Sequence, residues 1–118
     1  MHKFRIPLKP VSFNQAYRRA RKGMMISEKG MKFKEDCSDF LREQYTEERP
    51  LKGKLRVRIL YQFRDFREKV DIDNQFKLLL DSMKNIVFDD DSQIYKLSGE
   101  KQIGMSRNEI HIFIDEID

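Results

Sequence analysis

The residues best equipped for chemistry lie in one run, Asp71-Ile72-Asp73-Asn74-Gln75-Phe76-Lys77, followed by Asp81 and then Asp89-Asp90-Asp91. If Asp73 opens a helix, Lys77 lies four residues on and Asp81 four beyond it, so the three share one face. Asp71, two residues earlier in extended chain, points to the same side. Carboxylates crowded in this way repel one another, a cost that is offset where a divalent cation sits among them. Hard oxygen donors select Mg2+, with Mn2+ substituting, over zinc. A same-face lysine would stabilise charge that develops on a phosphate. A plainer use of these residues also stands, with Asp71 and Asp73 capping the helix and Lys77 and Asp81 forming a solvated ion pair. Three acidic positions plus the lysine favour the metal.

Other chemistries lack the residues they need. A calcium loop of the form D-x-D-N fails because Phe76 stands where a turn glycine is required and Ser82 or Met83 where the bidentate Glu belongs. His2 and His111 are far apart, and Cys37 alone cannot complete a zinc site or an internal disulfide. The chain contains no phosphate-cradling glycine loop and no nucleophile elbow.

The elements that must position these residues follow from hydrophobic period. Residues 3–8 alternate weakly and predict a strand that Pro7 confines to an edge or an end. Residues 10–23 predict a polar, basic loop. Ser27 caps a predicted helix over 28–45, with Phe33, Cys37, Phe40, Leu41 and Tyr45 at helical spacing. The cleanest alternation runs from Lys54 to Arg64, with Leu55, Val57, Ile59, Tyr61 and Phe63 on one face and Arg56 and Arg58 on the other. A second helix is predicted over 74–86 with Phe76, Leu79, Leu80, Met83 and Val87 inward. Strands over 93–102 and 109–114 complete a β-α-β-α-β-β order. The expected fold is α+β, a single domain over 1–118 with two helices packed on one mixed sheet. Strand pairing is expected to return the acidic turn beside the start of the second helix.

At this level of detail the chain resembles the RusA family of Holliday junction resolvases, crossover junction endodeoxyribonucleases of bacteria and their phages and prophages. The resemblance rests on D71-I-D73-N74-Q-F-K77, on Asp81, and on F88-D-D-D91-S-Q-I94 with Lys101 in the next strand. It extends more weakly to P7-L-K-P10-V-S-F-N14, Y17-R-R and S27-E-K-G30. It implies that Asp71, Asp73 and Asp91 are metal-binding catalytic carboxylates and Lys77 a catalytic lysine. Asp90 is the alternative third ligand, because the turn holds three consecutive Asp; Asp91 aligns through Ser92-Gln93-Ile94. The resemblance also implies a homodimer that binds four-way, branched DNA and cuts two strands of like polarity.

Charge agrees with a polyanion beside a cation site. About 25% of residues in an average domain are charged, against 37% here, and the net +4 divides into +9 over residues 1–60 and −5 over 61–118. Phosphate contacts are expected from Arg18, Arg19, Arg21 and Lys22 in the basic loop, from Arg56 and Arg58 on the central strand, and from Lys101. No apolar run approaches the roughly 20 residues of a membrane helix, no signal peptide opens the chain, and the single cysteine fits a cytoplasmic protein. The expected activity is therefore Mg2+-dependent, structure-selective cleavage of DNA in recombination and repair. Two alternatives stay open at this level: a non-catalytic DNA-binding phage accessory protein whose acidic cluster is structural, and a nuclease that prefers flaps or forks.

Overall fold

Alternating burial along Lys54–Gln62 builds the centre of the molecule, as the computed structural model, which describes residues 1–118, shows. In this strand, β4, the side chains of Leu55, Val57, Ile59 and Tyr61 are buried while Lys54, Arg56 and Arg58 are exposed. Its neighbours are β6 (Glu109–Ile117), antiparallel with Val57 opposite Ile114 and Ile59 opposite Ile112, and β5 (Ile94–Gln102), parallel. The edge strand β1 (His2–Ile6) pairs antiparallel with β6 and gives the order β1-β6-β4-β5. A parallel pair needs a crossover, and the segment that carries the acidic residues supplies it.

The helices cover the face that carries the isoleucines. Helix α2 (Glu28–Gln44) starts at Ser27, whose hydroxyl accepts from the Gly30 N–H at 3.1 Å, and buries Phe33, Cys37 and Leu41. Helix α3 (Phe76–Met83) packs beside it. Leu78, Leu79, Leu80, Ser82 and Met83 are all buried, so α3 hides more of its circumference than a single stripe. The buried Ser82 hydroxyl donates to the Leu78 carbonyl, and the Ser38 hydroxyl of α2 donates to the Ser82 carbonyl at 3.0 Å. Burial pushes the Cys37 thiol up to about 12, which keeps it protonated and unreactive.

One segment departs from expectation. Residues 10–23 are not a simple loop: Ser12 and Gln15 form a capping box on a one-turn helix, α1 (Phe13–Ala16), which runs straight into β2 (Tyr17–Ala20). This strand pairs with β3 (Gly23–Ile26) in a separate two-stranded ribbon. The order is therefore β-α-β-β-α-β-α-β-β, and the mixed four-stranded sheet packed by α2 and α3 stands as expected. Gly30 fixes the ribbon's base, since a Cβ there would lie 2.6 Å from the Ala16 carbonyl oxygen. No helix is long and apolar enough to cross a membrane.

Candidate active site

Asp71 is extended backbone (φ −85°, ψ 132°), and Ile72–Gln75 form a 3-10 turn that continues into α3. The helix thus begins at Phe76, and Asp73 lies inside the turn rather than capping the helix. The cause is packing against β5. A Cβ on Gly99 would come within 2.6 Å of Phe76 Cζ and 2.9 Å of Ile72 Cγ2, so only glycine lets the tightened turn lie on the strand. The side chain of Gln75 is buried, and its amide reaches the Asp71 carbonyl at 3.4 Å. Lys101 Nζ donates to the Val70 carbonyl at 2.8 Å, one residue before Asp71. Strand β5 therefore holds the segment from both ends. Asp71 and Asp73 themselves are exposed and form none of the chain's ion pairs.

The rest of the cluster is tied together. Lys77 and Asp81 meet at 3.5 Å across one helical turn, as their spacing predicts. The Tyr17 hydroxyl donates to Asp81 at 3.1 Å, and the Lys77 ammonium lies 5.7 Å from the Tyr17 ring centre. Burial, then the Asp81 charge, push the Tyr17 hydroxyl up to about 12, so it remains a donor at neutral pH. Lys84 follows the last turn of α3, and Asn85 beyond it turns the chain in the left-handed region at φ 65°. The Lys84 ammonium lies 3.6 Å from Asp81, 3.7 Å from Asp90 and 3.7 Å from Asp91. Partial burial pulls its pKa down, but Asp91, Asp81 and Asp90 outweigh that and hold it above the usual lysine range. The acidic turn thus sits beside the end of α3, not its start, because Lys84 draws it there.

Within the turn the three aspartates differ. Asp89 pairs with Lys52 at 2.7 Å. Asp90 caps a second 3-10 turn: its carboxylate accepts from the Ser92 N–H at 3.0 Å, and hydrogen bonding from Ser92, its side chain foremost and then this N–H, holds the Asp90 pKa below the usual carboxylate range. Gln93 accepts from the backbone N–H groups of Asp89 and Asp90 and donates to the carbonyls of Leu51 and Gly53, fastening the turn to the approach to β4. Asp91 has Lys84 as its one ionic partner.

The basic residues divide by location. Arg18 and Arg19 lie on β2 and Arg21 and Lys22 at the ribbon's turn, all exposed. Arg56 and Arg58 project from the sheet face away from the helices, where Arg56 pairs with Asp115 at 3.0 Å and Arg58 stacks on Phe113 with 4.7 Å to the ring centre. They are not brought together with the ribbon. Lys34 and Arg42 of α2 join Lys77, Lys84 and Asp81 around a polar cleft of about 620 Å³. Sequence reading missed Lys84 and Tyr17. The i,i+3 spacing of Asp81 and Lys84 was a usable signal for the first, whereas Tyr17 reaches Asp81 only through tertiary structure.

The donor chemistry fits a hard divalent cation. All the acidic groups are carboxylates, hard oxygen donors of the kind Mg2+ takes, and Asp81, Asp90 and Asp91 already surround one cation, the Lys84 ammonium. Around that ammonium they do not form a metal cage, and Asp71 and Asp73 stand apart from them, so a metal would have to draw Asp71, Asp73 and the turn together. No curated protein matches the chain. A family described as endodeoxyribonuclease RusA matches residues 7–115, from the end of β1 through the ribbon, the acidic segment and most of β6. The sequence motif, the fold that carries it and this match agree: the chain belongs to the RusA family of endodeoxyribonucleases.

Proposed function

We propose that this DNA nuclease is Mg2+-dependent and selective for branched DNA, and that it resolves four-way junctions by paired nicks in recombination and repair. The observation that carries the reading is the cation-gathering carboxylate cluster with Lys77 beside it, within a chain of this nuclease family. Asp71, Asp73 and Asp91 would hold the ion. Asp91 is preferred to Asp90 because Asp90 is engaged in capping the Ser92 turn, while Asp91 is bound only by Lys84. When bound, Mg2+ supplies Lewis acidity toward the scissile phosphate and lowers the pKa of water.

The chain's own groups supply the rest. Lys77, steered by Asp81 and the Tyr17 ring, presents a positive charge where the phosphate becomes more negative in the transition state. Lys34 and Arg42 line the cleft in which the DNA backbone would approach Lys77. The ribbon's Arg18, Arg19, Arg21 and Lys22 offer further phosphate contacts. Two symmetric nicks require two acidic clusters related by a two-fold axis, and each chain has one, so the working unit is a homodimer. Action on cellular DNA places it in the cytoplasm.

The test is incubation with an end-labelled mobile four-way junction, a flap and a linear duplex, each with and without Mg2+. Symmetric nicks in the junction alone, requiring the metal, are expected. Preferred cutting of the flap would replace the junction reading, and salt-sensitive binding with no product under any condition would make the protein a binder only.

A further inference from the structure

The β2–β3 ribbon carries a feature that phosphate binding does not use. From Tyr17 to Ile26 it has four cations and no acidic residue, and none of the four takes part in any of the chain's ion pairs. Yet beside these charges stand two methionines, Met24 and Met25, which are 52% and 51% exposed. Cross-strand pairing sets Met25 opposite Arg18 and Met24 opposite Arg19. Because side chains alternate along a strand, each face of the ribbon presents one arginine next to one methionine. A surface meant only for a polyanion gains nothing from exposed thioethers. Flexible, polarizable methionine does suit an aromatic face, and apolar side chains flanked by cations are how proteins part stacked bases.

The ribbon is also aimed. Tyr17 and Ile26 share the face of Arg19 and Met24, and Tyr17 is the residue that hydrogen-bonds Asp81 in the acidic cluster. Met24 is paired with Arg19, two residues beyond Tyr17, so it lies roughly 7 Å further along the ribbon, which is about two nucleotides of a DNA strand.

We infer that Met24 and Met25 are a wedge that parts stacked bases at the branch of a DNA junction while the neighbouring arginines hold the flanking phosphates, so that the ribbon sets both the preference for branched DNA and the distance from branch to cut. The inference rests on the DNA-cleavage reading and deepens it. Unstacking is costly in an intact duplex and least so where pairing is already interrupted, so a wedge selects branches.

The experiment uses the full-length protein without divalent metal and a four-way junction carrying 2-aminopurine at the branch, with binding measured in parallel on junction and linear duplex. Wild type should raise the 2-aminopurine fluorescence on binding. Met24→Ser with Met25→Ser should bind with an unchanged salt slope, lose the rise, and lose at least about tenfold of the preference for junction over duplex. Met24→Leu with Met25→Leu should retain all three properties and shows that the ribbon still folds with apolar substitutes. Retention of the rise and the preference by the serine variant overturns the inference, as does wild type that favours the junction with no rise. Wild type that has no preference for branched DNA overturns the junction reading itself and the wedge with it.

Discussion

The two acidic regions of the site are built in opposite ways. The turn at Asp89–Asp91 is held by Lys52, Lys84, the Ser92 amide and the doubly donating Gln93. The segment at Asp71–Asp73 is fixed through its backbone and its apolar neighbours, Ile72 and Phe76 on Gly99 and Val70 on Lys101, while its carboxylates have no cation. One region is neutralised from within, and the other is positioned but left uncompensated. Exposed carboxylates with no cation beside them are free to accept one. On the proposed reading the difference gives distinct roles: Asp71 and Asp73 would recruit the ion, and the turn would deliver Asp91 to it.

The largest predicted effect follows from Asp73. Asp73→Asn should reduce junction cleavage by at least about a thousandfold, as loss of a group that stabilises the transition state does. Because Asp73 has no partner, unfolding by denaturant should shift by less than about 0.5 kcal/mol. A comparable loss of stability would mean that Asp73 is structural and would erase the contrast between the two regions.

Gly99→Ala separates positioning from ligation. The added methyl group meets Phe76 and Ile72, so overpacking should cost about 1–3 kcal/mol and, by displacing the turn, should slow cleavage while leaving DNA affinity unchanged. Normal stability and turnover would show that β5 does not set the position of Asp71 and Asp73.

The acidic turn should respond to Lys84. In Lys84→Met the three carboxylates lose their common cation, so Tm without metal should fall by the equivalent of less than about 1 kcal/mol, and Mg2+ should restore it. The same variant in the Asp73→Asn background tells whether the two regions share one ion, since then the Mg2+ rescue disappears.

The last effect concerns pH, touches stability and not cleavage, and lies outside both regions. The buried Glu109 carboxylate accepts from Arg5 at 2.8 Å and lies 2.9 Å from His111 Nε2, and the Arg5 hydrogen bond chiefly lowers its pKa. A lowered folded pKa gives stability that is fully present above the usual Glu value near about 4.3 and lost as pH falls through the folded value. Glu109→Gln should therefore remove about 1 kcal/mol at pH 7 and flatten the acid limb of a stability profile, with cleavage unchanged.

Much of this arrangement was legible in the chain. The period-two run from Leu55 to Phe63 and the three isoleucines of β6 showed their buried face because each lines one side of a sheet. Ser27 and the apolar spacing after it marked α2 because capping is local. The ribbon was illegible because its residues are mostly exposed and carry no hydrophobic period. The start of α3 was misjudged because the Gly99 cradle, far along the chain, tightens the first turn. At the site, Lys77–Asp81 followed from helical spacing, while the convergence of Asp81, Asp90 and Asp91 on Lys84 depends on where the loop returns.

The most direct measurement of the division of labour is calorimetric titration of Mn2+ into the wild-type protein and into Asp71→Asn with Asp73→Asn. Wild type should bind the ion, and the double variant, with the Lys84 cluster intact, should bind at least about tenfold more weakly. Equal affinity in the two proteins would contradict the claim that the uncompensated pair recruits the metal.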